Sequence, residues 1–414
     1  MTLTLAGPFP LTVLLLVVVL SFIASLLSDK FKAPYPTVVI GLGLVLSVLR
    51  FEAGISDVPI NGDLILGLVI PPLIFESAMR TRFQTFKTVY KTVIGLAIFG
   101  VIISAFTTAF VLNLTLRLPL TTALLFGLII SPTDPVTVVS VLKKVRAPEK
   151  LTTVLESEAY LNNATPVILY SFAVTLSFSP MRDLGRFSYM LLGGLAVGFA
   201  VASIGELLHR QITSPLPETS FTIFTMYGSY ILAESLGMSG LIAVPIAGLW
   251  LGNRTMQTAM SKETRQTMVH FWEVMTFLAT SFAFLLIGLK TNLGLLYMYA
   301  PFVIVAFAAI LVARLLSVYP IVALTNLLGE GLPSSWNWIL GFAGLRGAVS
   351  VALVLSLPDS DYKNVITAMV FGVALISLTV QAGFLSHYLK SESSRMEDEE
   401  NQKLTFMSKQ TRSS

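Results

Sequence analysis

The chain has 414 residues, of which 54% are hydrophobic and only 12% are charged, and its formal net charge is +4. Soluble proteins carry about 25% charged residues, so this composition excludes an ordinary globular enzyme or soluble binding protein. It predicts an all-α polytopic membrane protein that lies almost entirely within the bilayer. The absence of cysteine also excludes disulfides and thiol chemistry.

Long apolar stretches follow one another along the whole chain. A membrane-spanning helix needs about 20 mostly apolar residues. On this criterion the sequence predicts thirteen spans, near residues 9–28, 35–50, 62–79, 88–113, 119–142, 151–176, 188–208, 217–235, 238–252, 269–289, 297–325, 334–357 and 362–388. The first span has no basic residue before it, which favours a retained helix over a signal peptide. The polar stretch 391–414 predicts a disordered cytoplasmic tail.

Lysines and arginines are distributed unequally between the loops. An N-terminus outside and a C-terminus in the cytoplasm put most of them on the cytoplasmic side, including the cluster at 143–150. This orientation fits an integral protein of a prokaryotic plasma membrane or of an organelle, and we expect the former.

Two of the predicted spans carry interruptions at their centres. The fifth contains SPTDP at 131–135, and the twelfth contains GFAGLRG at 341–347. Proline removes a backbone donor and disfavours helix at the residue before it. Interrupted helices in the two halves of a transporter mark inverted repeats and a binding site near the midplane. Asp134 and Arg346 lie where they can compensate the half-helix dipoles. The alternative is that the prolines merely kink a packed helix.

Charged residues inside apolar spans need partners, because a charge in the bilayer is costly. Glu158 is a possible partner of Arg346, and such a pair is more often structural than a ligand of an ion. Arg314 also lies in the middle of a span, and its position favours pairing with a carboxylate over contact with a substrate. Gly194 and Gly198 form a small-xxx-small pair that permits close helix packing and is compatible with a dimer contact.

Several segments together resemble the NhaP-type monovalent cation/proton antiporters, the branch that includes the sodium/proton exchangers. The resemblance extends over almost the whole chain and rests on PPLIFE at 71–76, TDPV at 133–136, LAESLGMSG at 232–240, FWEV at 271–274 and GLRGA at 344–348. It implies exchange of sodium or another monovalent cation for protons by alternating access, driven by an ion gradient. We therefore expect no enzyme activity, no cofactor beyond the transported ions and no nucleic-acid partner.

The resemblance also implies a domain organisation. Interface and dimerisation helices would occupy residues 1–84 and 178–296, and the core transport domain would be built from 85–177 and 297–390. The protein would be a homodimer.

The family's central motif is Glu-Ser-x-x-Asn-Asp on the sixth helix, and the corresponding stretch here is EAYLNN at 158–163. The resemblance implies that Glu158 pairs with Arg346 and that Asn162 organises the site. It further implies a cation and proton site lined by Thr133, Asp134, Asn162 and Asn163, with Thr133 and Asp134 as sodium ligands. Two positions depart from the motif, because Ala159 replaces the serine and Asn163 replaces the aspartate.

An asparagine cannot take up a proton near neutral pH, so Asn163 cannot be the exchange carboxylate. One explanation is an inactivating change in a true antiporter. A second is that another carboxylate has taken over, either Asp134 or Glu156, which lies seven positions before Asn163 and about 10 Å away along the helix axis. A third is that the chain is a non-transporting scaffold or sensor, or an uncoupled cation channel. Glu76 is a candidate for gating or relay, either by contacting Asn162 or by lining water.

Overall fold

The structure, a computed structural model, describes residues 11–31, 34–49, 62–145, 147–175, 180–212 and 214–390. All regular secondary structure in these ranges is helical. The predicted tail at 391–414 lies outside the described residues. The all-helical fold class predicted from composition is thus confirmed.

We number the principal helices in chain order and give each interrupted helix one number with two halves. They are α1 (Leu11–Phe31), α2 (Tyr35–Val48), α3 (Gly62–Arg80), α4 (Tyr90–Leu116), α5a (Leu120–Ile130), α5b (Pro135–Lys144), α6 (Glu149–Thr175), α7 (Pro180–His209), α8 (Pro215–Ser235), α9 (Gly240–Trp250), α10 (Lys262–Lys290), α11 (Ala300–Leu327), α12a (Trp336–Phe342), α12b (Ala348–Leu355) and α13 (Lys363–Lys390). Short helices at Phe83–Phe86 and Leu293–Met298 precede α4 and α11.

Within the described part of the chain, six helices are each long and apolar enough to cross a membrane by length and composition: α3, α4, α7, α10, α11 and α13. The helices α2 and α5a are apolar but shorter. These helices support an integral membrane protein, whereas the total of thirteen spans stays a prediction.

The helices pack most extensively within two sets. One set is connected through α2 on α10, α7 on α9, and α3 on α9, and the other through α4 on α5a and α11, with α11 also on α12a and α13. Helix α6 packs on α5a and α12b packs on α13, so both belong to the second set. Helix α3 contacts α6 and α12b as well and is therefore a place where the two sets meet. The division of the chain into interface and transport domains stays a prediction.

Both interruptions predicted from the sequence are present. Helix α5a ends at Ile130 and α5b begins at Pro135, while α12a ends at Phe342 and α12b begins at Ala348. Proline is favoured at the first position of a helix, where its missing N–H has no intrahelical partner to lose. The sequence therefore restarts α5 at a position that suits proline.

The glycine pair of α7 lies against α9 of the same chain. A Cβ on Gly194 would lie 2.6 Å from the Ser239 carbonyl oxygen, and one on Gly198 would lie 2.3 Å from that of Ala243. Close helix packing is confirmed, but these two positions are occupied by an intramolecular contact rather than by a dimer contact.

We expect Gly198→Ala to force α7 and α9 apart and to lower the free energy of unfolding by about 1–3 kcal/mol, the usual cost of overpacking. The measurement is the midpoint of thermal unfolding in detergent. Gly185→Ala is the matched control, because a Cβ there meets nothing within 4 Å. Equal midpoints for the two variants would contradict the close approach.

Candidate ion-binding site

The two interrupted segments cross each other in direct contact. The Asp134 backbone N–H donates to the Leu345 carbonyl oxygen at 2.7 Å. A Cβ on Gly347 would lie 2.8 Å from the Asp134 Cβ, so the approach requires glycine at this position. The crossing thus joins the fifth and twelfth helices at the two charges that the sequence singles out.

Asp134 and Arg346 compensate the half-helix ends, as the sequence predicts. Arg346 Nη1 donates to the Ser131 carbonyl oxygen at 2.6 Å and to that of Pro132 at 3.4 Å, just beyond the last turn of α5a. Asp134 Oδ2 accepts from the Thr137 backbone N–H at 3.0 Å, which caps the first turn of α5b. A cation at a helix C-terminus and an anion at an N-terminus are both favourable.

A small cavity of about 10 Å³ adjoins the crossing. This is close to the space that one water molecule needs. Its polar walls are Thr133, Asp134 and Asn163, and its apolar walls come from α3 and α12b. Among the described residues that line this cavity, Asp134 is the only carboxylate. Asn163 is 2% exposed and its Oδ1 accepts no hydrogen bond.

The unpartnered oxygen of Asn163 is costly, since a buried acceptor without a donor loses about 1–3 kcal/mol. Together with Asp134, it gives the cavity a carboxylate and a neutral carbonyl oxygen, which are hard ligands of the kind that sodium prefers. Three of the four predicted site residues, Thr133, Asp134 and Asn163, therefore lie around one space, whereas Asn162 is not among its walls.

The predicted ion pair of Glu158 with Arg346 is wrong, because Glu158 pairs with Arg314. Arg314 Nη1 and Nη2 donate to Glu158 Oε1 and Oε2 at 2.8 and 2.7 Å, a two-bond contact between buried side chains. The reason is that the guanidinium of Arg346 is directed to the carbonyls at the end of α5a. The expectation that Arg314 pairs with a carboxylate is confirmed.

Asn162 links this ion pair to the cavity. Its Nδ2 donates to Glu158 Oε1 at 2.8 Å and to Thr133 Oγ1 at 3.4 Å. Glu158 and Asn162 are four residues apart and therefore neighbours on one face of α6.

Two residues of α13 that the sequence analysis did not identify hold the twelfth helix in place. Ser377 Oγ accepts from the Arg346 backbone N–H at 3.0 Å and donates to Gln381 Oε1 at 3.0 Å. Gln381 Nε2 donates to the Phe342 carbonyl oxygen at 2.7 Å, at the end of α12a. Both lie in the π-helical turn Ser377–Gln381. Such turns are frequent at functional sites, and the buried glutamine in an apolar span was the available signal.

A larger cavity of about 310 Å³, which we call the vestibule, lies next to the small one. Leu73 lines both cavities. Glu76 and Glu156 line the vestibule, while Asn163, seven residues beyond Glu156, lines the small cavity. Glu156 and Asn163 thus line two cavities that share Leu73 in their walls.

Glu76 does not make the contact with Asn162 that the sequence analysis considered. Its carboxylate instead pairs with Arg80, one turn further along α3. Arg80 also donates through Nη2 to Glu273 Oε1 at 2.9 Å. Asn162 is directed to Glu158, so the observed position of Glu76 matches the other option, a group lining the water-accessible vestibule.

Two crossing interrupted helices, each with a buried charge at its break, define the class of polytopic membrane transporters that bind their cargo at the interruption. The family model for the sodium/hydrogen exchanger, transmembrane, matches residues 17–391, and the chain belongs to this family.

Individual relatives agree with this assignment. The Na(+)/H(+) antiporter ApNhaP of Aphanothece halophytica is 35% identical over 352 residues, which are 83% of this chain and 66% of that protein. The chain therefore spans just under two thirds of that relative's length. The Na(+)/H(+) antiporter NhaH of Halobacillus aidingensis is 30% identical over 397 residues, which are 91% of this chain and 96% of that protein.

A solved structure has the same fold. The sodium proton antiporter MjNhaP1 from Methanocaldococcus jannaschii superposes with a TM-score of 0.72, covering 92% of this chain and 95% of that chain at 24% sequence identity. At this identity the likeness concerns the fold.

The pairing of Glu158 can be tested with a double-mutant cycle. We expect Glu158→Gln and Arg314→Gln each to cost about 3–5 kcal/mol of unfolding free energy, because each leaves an uncompensated buried charge. The double variant should lose much less than the sum. Thermal unfolding in detergent measures this cycle and the matching cycle of Glu158→Gln with Arg346→Gln. A stronger coupling of Glu158→Gln with Arg346→Gln than with Arg314→Gln would contradict the observed pair.

Proposed function

We propose that this chain is a secondary antiporter that exchanges a monovalent cation, with sodium as the favoured cargo, for protons by alternating access. The observation that carries the proposal is the small cavity at the helix crossing, where the Asp134 carboxylate and the unpartnered Asn163 Oδ1 lie among its walls. The two relatives described above are themselves Na(+)/H(+) antiporters by name, which supports the same cargo for this chain.

Exchange needs a group that is either protonated or bound to the cation. Asp134 supplies this group, since Asn163 cannot titrate. Ionised Asp134 with a sodium ion and protonated Asp134 without one carry the same charge. In low-dielectric surroundings the sodium-bound state and the protonated state are both favoured over the ionised carboxylate alone, because that carboxylate would be an uncompensated buried charge. This competition couples the two ions.

The neutral groups complete the cation site. Thr133 offers a hydroxyl or carbonyl oxygen, and Asn163 offers its Oδ1, while Asn162 connects the site to the buried pair of Glu158 and Arg314. In this proposal the ion pair is structural. It holds α6 to α11 so that the site moves as a unit.

The remaining expectations belong to the same proposal. The helices of 85–177 and 297–390 form the transport domain as two inverted repeats, and those of 1–84 and 178–296 form the interface of a homodimer. The N-terminus lies outside a prokaryotic plasma membrane, so the vestibule, which adjoins the C-terminal end of α3, faces the cytoplasm.

The first test is sodium-driven proton flux in proteoliposomes. We expect the chain as written to exchange ions and Asp134→Asn to abolish exchange, because the site then contains no titratable group. Asp359→Asn is the control, since Asp359 is exposed, lies in the loop before α13 and pairs with Lys363 at the start of that helix. If the Asn163→Asp variant exchanges ions and the chain as written does not, the proposal is contradicted and the chain is an antiporter disabled at position 163.

Glu156 serves as a proton relay between the vestibule and Asp134 in this proposal. We expect Glu156→Gln to lower the exchange rate by about tenfold or more, within the usual contribution of a positioned proton-transfer group, with unchanged thermal unfolding. Glu263→Gln, an exposed change at the start of α10, is the control. Unchanged transport in Glu156→Gln would remove Glu156 from the pathway.

A further inference from the structure

The interrupted segment of the twelfth helix meets Asp134 through a single peptide unit. The Leu345 carbonyl oxygen of this unit accepts from the Asp134 backbone N–H at 2.7 Å, and the N–H of the same unit belongs to Arg346. Because a peptide unit is planar and trans, its carbonyl and its N–H point in opposite directions. A group that holds the Arg346 N–H therefore also sets the position of the Leu345 carbonyl, and with it that of the Asp134 backbone.

Ser377 of α13 is the group that holds this N–H. Its Oγ accepts from the Arg346 N–H at 3.0 Å and donates its own proton to Gln381 Oε1 at 3.0 Å. Ser377 is fully buried and Gln381 is 5% exposed, so bulk water does not compete for these bonds. A chain of hydrogen bonds thus runs from Gln381 through Ser377 and the 345–346 peptide to Asp134.

Gln381 fixes the direction of the Ser377 hydroxyl. A serine inside a helix commonly donates to the carbonyl three or four residues before it. Ser377 donates forward to Gln381 instead, and Gln381 Nε2 in turn donates to the Phe342 carbonyl oxygen at 2.7 Å. The carbonyl of Phe342 and the N–H of Arg346 are therefore both tied to the same turn of α13.

Asp134 has little freedom to move on the side of the twelfth helix. A Cβ on Gly347 would lie 2.8 Å from the Asp134 Cβ, so a shift of the interrupted segment displaces the Asp134 side chain. That side chain shares the walls of the small cavity with Asn163. Binding groups have to be held within about 0.5 Å of their productive positions. The position of the 345–346 peptide therefore affects how Asp134 and Asn163 face a common ion.

We propose that Ser377 and Gln381 are positioning residues for the ion site, which hold Asp134 in its cation-binding position through the 345–346 peptide. Neither is among the described residues that line the small cavity, so both act through the backbone rather than by contact with the ion. The consequence for sodium rests on the proposed function, whereas the backbone link to Asp134 does not.

The backbone link is tested by amide hydrogen exchange with residue-level mass spectrometry. We expect Ser377→Ala to speed exchange about tenfold at the Arg346 amide and, across the peptide, at the Asp134 amide, since one buried hydrogen bond is lost and a second is weakened. Thr379→Val is the matched control, because the Thr379 hydroxyl lies in the same turn and donates within α13, to the Leu375 carbonyl oxygen at 2.6 Å. Faster exchange at Arg346 alone would show that Ser377 fixes only the twelfth helix and would overturn the assignment.

Gln381→Met is a second, milder variant of the same link. It keeps the Ser377 oxygen but frees the hydroxyl to donate back along α13, so we expect the Asp134 amide to exchange about threefold faster. If Ser377→Ala does not fold, an unchanged rate at the Asp134 amide in Gln381→Met overturns the assignment by itself.

The effect on the ion site is tested by titrating sodium against the midpoint of thermal unfolding, with N-methylglucamine chloride keeping the ionic strength constant. A cation that binds the folded state raises this midpoint. We expect Ser377→Ala to need about tenfold more sodium for the same rise, and the KM for sodium in proteoliposomes to increase by a similar factor. A merely structural role would lower the midpoint without sodium and leave the sodium dependence unchanged, as in Thr379→Val, which would contradict positioning.

These measurements separate the positioning role from the proposed exchange. If the chain as written shows no flux, but Ser377→Ala alters both the Asp134 amide and the sodium dependence, exchange is refuted and positioning is supported. If the chain as written shows flux and the Asp134 amide is unchanged in both variants, exchange stands and positioning is refuted. If sodium does not raise the midpoint of the chain as written, the cation site and the effect on it are both refuted, and amide exchange still decides the backbone link.

Discussion

The contact between two interrupted helices is the constraint on which the rest of this structure depends. Each interruption leaves backbone groups without helical partners inside an apolar protein, and such groups are costly unless they are satisfied. The Asp134 N–H satisfies the Leu345 carbonyl, and Arg346 satisfies the carbonyls of Ser131 and Pro132 just beyond α5a. Each interruption therefore provides hydrogen-bond partners for backbone groups of the other.

The same constraint explains the arrangement of charges around the site. Since Arg346 is committed to the end of α5a, the buried carboxylate of Glu158 requires another cation, which Arg314 provides from α11. Asn162 donates hydrogen bonds both to Glu158 and to Thr133, so the position of Thr133 depends on that of the ion pair. One chain of contacts thus fixes the broken helix, the sixth helix and the eleventh helix relative to one another, and leaves Asp134 and Asn163 facing a cavity.

The vestibule and the small cavity differ in the number of carboxylates that line them. The vestibule presents several carboxylates to water, one of them already held by Arg80, whereas Asp134 is the only carboxylate among the described residues of the inner cavity. Leu73 lines both spaces.

The sequence alone determined the all-helical membrane character and the two interruptions, because composition, prolines and glycines act locally. Helical spacing also placed Glu156 and Asn163 on one face of α6. Only the tertiary structure decided which charges pair: Arg314 and Arg346 are both arginines in apolar spans, and the sequence cannot tell which lies opposite Glu158. It likewise decided that Glu76 meets Arg80, that Ser377 and Gln381 hold the twelfth helix, and that Gly194 and Gly198 pack within the chain. Apart from the Glu76–Arg80 pair, which lies within α3, these contacts join residues on different helices, and the distances between helices are fixed by packing rather than by any local pattern.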